Sequence, residues 1–142
     1  MPTLDTILNV SASALAVERT RIEVAVSNLA NAESTHGPNG QPYRRRDVLL
    51  TPDPGGTFQD ALDAASVAGV KVAGIVEDQS PFQQRYDPTH PDADKNGFVA
   101  MPNVDTPEEM VNMLSASRAY QANLTAIGLI RDMSQRALEL GK

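Results

Sequence analysis

The chain of 142 residues contains no cysteine and no tryptophan. Without cysteine there is no disulfide framework, no thiolate nucleophile and no sulfur ligand for a metal. Aromatic residues are scarce, with three phenylalanines and three tyrosines, so a large aromatic core is not expected. His36 and His90 are the only two histidines. Each stands beside glycine or proline, and no second histidine, cysteine or glutamate falls at ligand spacing from either. No apolar run approaches the length that crosses a bilayer, and the start of the chain lacks the basic region and apolar stretch of a secretory signal. No serine sits in a Gly-x-Ser-x-Gly elbow, and no glycine-rich phosphate loop occurs. Adjacent acids such as Glu77-Asp78 and Glu108-Glu109 are explained by a turn and a helix start. No catalytic, cofactor-binding or metal residue is therefore expected, nor a small-molecule substrate.

Positive charge is also in short supply. Twelve basic residues face eighteen acidic ones, a formal net charge of −6, which disfavours nucleic acid as a partner. The charge is uneven. Residues 1–31 carry two basic against three acidic groups, residues 32–105 six against eleven, and residues 106–142 four of each. The repulsive charge lies in the middle, and the two nearly neutral ends are free to associate.

The ends carry the helical pattern. From Asp105 the chain reads Asp-Thr-Pro-Glu-Glu-Met and then runs without proline to Lys142. Thr106 suits an N-cap, Pro107 the first helical position, and Glu109 the far corner of a Thr-x-x-Glu capping box. Met110, Met113 or Leu114, Ser117, Tyr120, Leu124, Ile127 and Ile130 recur at spacings of three and four, one face of a helix. A helix from Pro107 to Leu140 would be about 50 Å long at the usual rise per residue. So narrow a stripe requires a partner helix. Residues 3–31 supply one, with Thr3 or Asp5 as cap. Leu4, Leu8, Ser11, Leu15, Ile22, Ala25 and Leu29 form a near-heptad seam interrupted by Glu18 and flanked by Ile7, Ala14 and Val26. Small residues dominate the other faces, so several neighbours could approach closely, or the helix is simply an alanine-rich surface one.

Residues 31–42 are dense in turn formers, and Asn28 and Asn31 lie where asparagine tolerates left-handed geometry at a helix end. Tyr43 to Thr51 reads as a strand, with Tyr43, Arg45, Asp47 and Leu49 on one face and Arg44, Arg46, Val48 and Leu50 on the other. Alternation splits the three consecutive arginines between faces and argues against a nucleic-acid patch. Residues 52–69 read as a loop with a short helix over 58–65. Strands are expected over 70–77, 81–86 and 97–101, giving one small antiparallel sheet of two to four strands.

One segment resembles a ligand site. Asp92, Asp94, Asn96 and Gly97 match the opening of a calcium loop, D-x-D-x-N-G. The twelfth position is Asn103 instead of glutamate, and prolines replace the flanking helices. The alternative is an acidic turn whose side chains bond nearby backbone amides.

The residues as a whole resemble a known family. Asn28-Leu29-Ala30-Asn31-Ala32, then Thr35, Gly37 and Tyr43-Arg44-Arg45, are similar to the N-terminal signature of the bacterial flagellar rod, hook and filament-junction proteins. Tyr86 to Ala100 and Pro102-Asn103-Val104 resemble the proximal-rod members in particular, as do Glu108 to Met113 and Ser115 to Asn123. The resemblance covers nearly the whole chain and is weakest over residues 52–69, which show no family pattern. The resemblance implies a mainly α fold in which the long terminal helices pack as an antiparallel hairpin or coiled coil around a small antiparallel β region. It divides the chain into a terminal helical part, 1–35 with 105–142, and a central β-rich insert, 36–104. It implies a structural subunit of the proximal rod, spanning the periplasm and exported by the flagellar type III apparatus without a cleaved signal. Its partners would be itself, the other rod proteins, the basal MS ring and the export-gate adaptor. Terminal helices with little private core would order on assembly. Subunit contacts are expected at Leu8, Leu15, Ile22, Asn28, Leu29, Asn31, Met110, Met113, Tyr120, Leu124 and Ile127. A small calcium-binding or helical adaptor module is the alternative.

Overall fold

A computed structural model describes residues 4–37, 39–53 and 68–140. The expected short helix over 58–65 lies outside them. Among the described residues two long helices bracket four short strands: α1 (Leu4–Ala30), β1 (Arg46–Asp53), β2 (Gly69–Glu77), β3 (Gln83–Tyr86), β4 (Phe98–Met101) and α2 (Thr106–Leu140). The fold is thus mainly helical with small antiparallel sheets between the helices.

The expected single sheet is corrected to two separate two-stranded ones, β1–β2 and β3–β4. The first strand begins at Arg46 and not at Tyr43, because the residues before it are held elsewhere. Tyr43 donates its amide to Ser34 O, and Arg45 donates its own to Asn103 Oδ1. The β1–β2 ladder is irregular. Leu49 pairs with Gly74 but Leu50 pairs with Val72, so Ala73 is an extra residue in β2, a bulge that bends the strand carrying it. Leu49 and Leu50 are both exposed.

The helix ends follow capping physics, with partners that differ from those expected. Asp105 is the N-cap of α2: its Oδ1 accepts the Glu108 amide at 3.0 Å, and its carbonyl accepts the Glu109 amide at 3.0 Å. Thr106 already lies inside the helix, so the Thr106–Glu109 capping box is replaced by an Asp-x-x-Glu start. At the end of α1, no non-glycine residue among those described has positive φ. Asn31 closes the helix through its side chain, whose Nδ2 donates to Ser27 O at 2.8 Å. Free carbonyls in a last turn require such a donor.

The core has two parts. Val17, Val24 and Ala25 of α1 and Ala116 of α2 are buried where α1 meets α2, β1 and β2. Val99, Met101, Pro102 and Val104 are buried around β4. A fully buried valine contributes roughly 1.5–3 kcal/mol relative to exposure, so this is a lean core for so long a pair of helices. No residue of α1 before Val17 is buried, and none of α2 after Ala116 is, among those described.

A buried polar junction and the candidate assembly faces

Where the last turns of α1 meet the first turn of α2, the interior is polar. Asn28 is fully buried and Glu109 is 2% exposed. Asn28 Nδ2 donates to Arg46 O at 2.8 Å and to Glu109 Oε2 at 3.0 Å. Its Oδ1 accepts the Arg46 amide and the Tyr43 hydroxyl, each at 2.9 Å. The Asn28 side chain therefore pairs with both backbone groups of Arg46, as a neighbouring strand would. A buried amide has to be satisfied in this way, since each unmet group costs about 1–3 kcal/mol.

Glu109 is matched on its other oxygen. Arg45 Nε donates to Glu109 Oε1 at 2.6 Å, a charge-assisted bond. Asp47, Asp78 and Glu108 lie 3.8–3.9 Å from the same guanidinium. Burial works against the Arg45 charge, but the bond and charge of Glu109, with Asp47 and Glu108, outweigh it and hold its pKa above the usual arginine value. Asn103 joins the junction too, accepting the Arg45 amide and donating to Asp78 O at 3.2 Å and Ser80 O at 3.3 Å.

The other arginines of the triplet are engaged within the chain as well. Arg44 donates to Asp78 O and stacks over the Phe82 ring at 4.3 Å. Arg46 stands 3.6 Å from Glu77 and over the Tyr43 ring at 5.5 Å.

The acidic segment is a turn. Asp94 Oδ1 accepts the Asn96 amide at 2.8 Å and the Phe98 amide at 2.9 Å. Asp92 Oδ2 accepts the Thr35 hydroxyl at 2.8 Å, and Asp92 Oδ1 lies 3.5 Å from His36 Nδ1. The Asp92 carboxylate thus ties the turn after α1 to the β3–β4 loop, while Asp94 holds that loop's own backbone.

The residues expected to meet other subunits are distributed unevenly. Leu8, Leu15, Ile22, Leu29, Asn31, Met113, Tyr120 and Ile127 are half-buried, while Met110 and Leu124 are exposed. Asn28 serves the interior of its own chain. The face that α2 turns inward includes the buried Glu109 and Ala116 and, at the same seven-residue spacing, the half-buried Asn123 and Ile130, with Met113, Ser117, Tyr120 and Ile127 half-buried beside them. Leu4 and Leu8, at the start of α1, share a cleft with Ile130 and Ser134 late in α2. Many other apolar side chains of α2 stay in solvent, including Met133 at 70% and Leu138 at 71% exposure. Sequence reasoning missed Val17 and Val24, although Val10, Val17 and Val24 repeat every seventh residue. It also missed Arg45, Asn103 and Glu109 as junction residues; the signal was a glutamate on the inward heptad of α2.

The chain matches known proteins over nearly its whole length. It is 47% identical over 137 residues to the flagellar basal-body rod protein FlgC of Salmonella typhimurium, an alignment covering 96% of each. The chain belongs to the FlgC family of flagellar basal-body rod proteins. The FlgC of Bacillus subtilis is 46% identical over 145 residues, covering 95% of this chain and 96% of that one. The FlgC of Borreliella burgdorferi is 43% identical over 143 residues, covering 94% of each. The family described as Flagella basal body rod protein matches residues 8–38, and Flagellar basal body rod FlgEFG protein C-terminal matches residues 95–140. The two matches fall on α1 with the turn after it, and on β4 with α2. As a FlgC-family protein the chain is a structural subunit of the flagellar basal-body rod and not an enzyme. Among the described residues no helix is long and apolar enough to cross a membrane.

Proposed function

We propose that this rod subunit polymerises through α1 and α2 into the proximal rod, the part of the drive shaft that carries torque across the periplasm. The observation that carries this reading is the exposed apolar surface of α2. Met110, Leu114, Leu124, Leu129, Met133 and Leu138 are each at least half exposed. A lone soluble protein rarely leaves so extended a set of large apolar side chains in water, and such surface marks an interaction site. In this reading α1 and α2 form an antiparallel hairpin with a coiled-coil-like seam, joined at Asn28 and Glu109. The terminal part, 1–35 with 105–142, builds the tube, and the insert, 36–104, faces outward. The half-buried seam residues of both helices and the exposed Met110 and Leu124 meet neighbouring subunits.

The partners in this reading are further copies of the chain, the other rod proteins, and the MS ring with the export-gate adaptor below. The chain reaches them through the flagellar type III export apparatus without a cleaved signal. The lean core toward the free helix ends supports ordering of those ends on assembly. Leu124→Asp and Ile127→Asp test the reading, because a charge unmatched in a helix bundle is strongly unfavourable. Both variants are expected in the cell at normal level, absent from purified basal bodies, in non-swimming cells. Normal swimming with either variant would sink the proposal.

A further inference from the structure

We infer that Glu109 is a positioning residue: acting through the Asn28 amide, it makes docking of the β1–β2 hairpin depend on the pairing of α1 with α2. Both ends of that amide are engaged. Asn28 Nδ2 serves Glu109 and Arg46 O, and Asn28 Oδ1 serves Arg46 N and Tyr43. An asparagine side chain has two donor hydrogens and two acceptor sites, so all four are used. A carboxylate can only accept. Together with the Arg46 carbonyl it requires the donor end of Asn28 to face it, which adds to the hold on the acceptor end at the Arg46 amide. With the amide flipped, oxygen would face carboxylate and N–H would face N–H, in a site closed to water.

Glu109 is itself held. Arg45 Nε binds its second oxygen, and Arg45 precedes Arg46 in the chain. A closed ring results, from α1 to α2, back through Arg45 to the start of β1, and to α1 again. The far end of the hairpin is attached differently. Ser13 Oγ accepts the Val70 amide at 3.1 Å and donates to Val10 O at 2.8 Å, both of them bonds that α2 takes no part in. The hairpin thus has one anchor that senses α2 and one that does not. Seating of α2 in the rod would fix the hairpin at its Arg46 end. This consequence rests on the assembly reading, whereas the anchor itself is a property of the free chain.

Amide exchange measured by NMR on the free full-length chain tests it, so its failure is separate from failure of the assembly reading. Glu109→Gln leaves one acceptor where two donors converge. It is expected to speed exchange of the Arg46 amide by about tenfold or more, the scale set by losing one buried hydrogen bond, while Val70 changes by less than about twofold. Asn28→Asp puts two carboxylates together and is expected to act in the same direction. The double variant N28D/E109Q restores a donor opposite an acceptor. Its new amide on α2 can donate to its new carboxylate on α1, and that carboxylate still accepts the Arg46 amide, although its second oxygen faces the Arg46 carbonyl that Asn28 Nδ2 served. Arg46 exchange in the double variant is therefore expected to be slower than in N28D alone, without reaching the wild-type rate. Equal acceleration of Arg46 and Val70, an unchanged Arg46 in E109Q, or additive damage in the double variant would each overturn the inference. If E109Q does not fold, native-state exchange of the unaltered chain in low urea decides: opening of Arg46 together with the first-turn amides of α2 supports the coupling, and opening of Arg46 together with Val70 overturns it.

Discussion

Asn28 and Glu109, 81 residues apart in the chain, share a 3.0 Å hydrogen bond in the interior. That bond joins the first and last helices at one end of the molecule. At the other end, among the described residues, the helices meet through half-buried or exposed side chains such as Leu8 and Ile130. Local stability follows burial and hydrogen bonding, so the junction is the firm end and the termini are the adaptable one. An assembling subunit needs both, a fixed entry angle for its helices and free surface along them.

The start of α2 is set by Asp105, not by Thr106. Asp105→Ala is expected to lower stability by about 1 kcal/mol through loss of the cap, and Thr106→Ala by less than about 0.5 kcal/mol, as for an ordinary surface position. Urea denaturation of the two variants checks this. The reverse order would restore the Thr106 cap.

Gly97 closes the turn into β4 with φ near +80°, and a Cβ there would lie 3.0 Å from Tyr86 Cε2 and 3.2 Å from Pro88 Cβ. Gly97→Ala is expected to cost about 1–3 kcal/mol from backbone strain and crowding together. Gly74 has open space around its Cβ position and an ordinary φ, so Gly74→Ala should change stability by less than about 0.5 kcal/mol. Thermal melts of the pair separate the two cases.

Asp87 accepts the Thr89 hydroxyl at 2.7 Å and the Thr89 amide at 3.2 Å. The hydroxyl bond chiefly, with the amide bond and the nearby His90 and Arg85, holds its pKa below the ordinary carboxylate value. A lowered pKa means that the folded state prefers the ionised form. The associated stability is present above about pH 3.9, the usual aspartate value, and is lost as pH falls through the folded pKa. Thr89→Val removes the larger contribution. NMR titration of Asp87 should show its pKa rise toward the usual value, with a shallower loss of stability in acid. An unchanged Asp87 titration would remove the hydroxyl as the cause.

Much of the architecture was legible in the residues. Both helices, the strand positions and the turn around Asp94 follow from periodicity, turn chemistry and the short reach of Asp and Asn side chains. The faces were legible only in part, for a physical reason. Of the expected α2 stripe, Met113, Ser117, Tyr120, Ile127 and Ile130 are half-buried while Met110, Leu114 and Leu124 stay exposed. The most deeply buried positions, Glu109 and Ala116, are polar or small, so apolar periodicity alone does not find them. The start of β1 at Arg46 was hidden because Ser34, Asn103 and Asn28 take the amides of Tyr43, Arg45 and Arg46, contacts that strand propensity does not show. The junction shows in the sequence only as an asparagine and a glutamate at inward positions, and polar residues there defeat hydrophobic patterning.

The central claim is that the apolar face of α2 is covered by other rod subunits in the assembled flagellum. Photo-crosslinking from an unnatural amino acid placed at Leu124 in swimming cells tests it most directly. Crosslinks are expected from Leu124 to rod proteins or to a second copy of this chain, and none from Lys71, which is exposed on β2 in the insert. An uncrosslinked Leu124 in fully motile cells would contradict the claim.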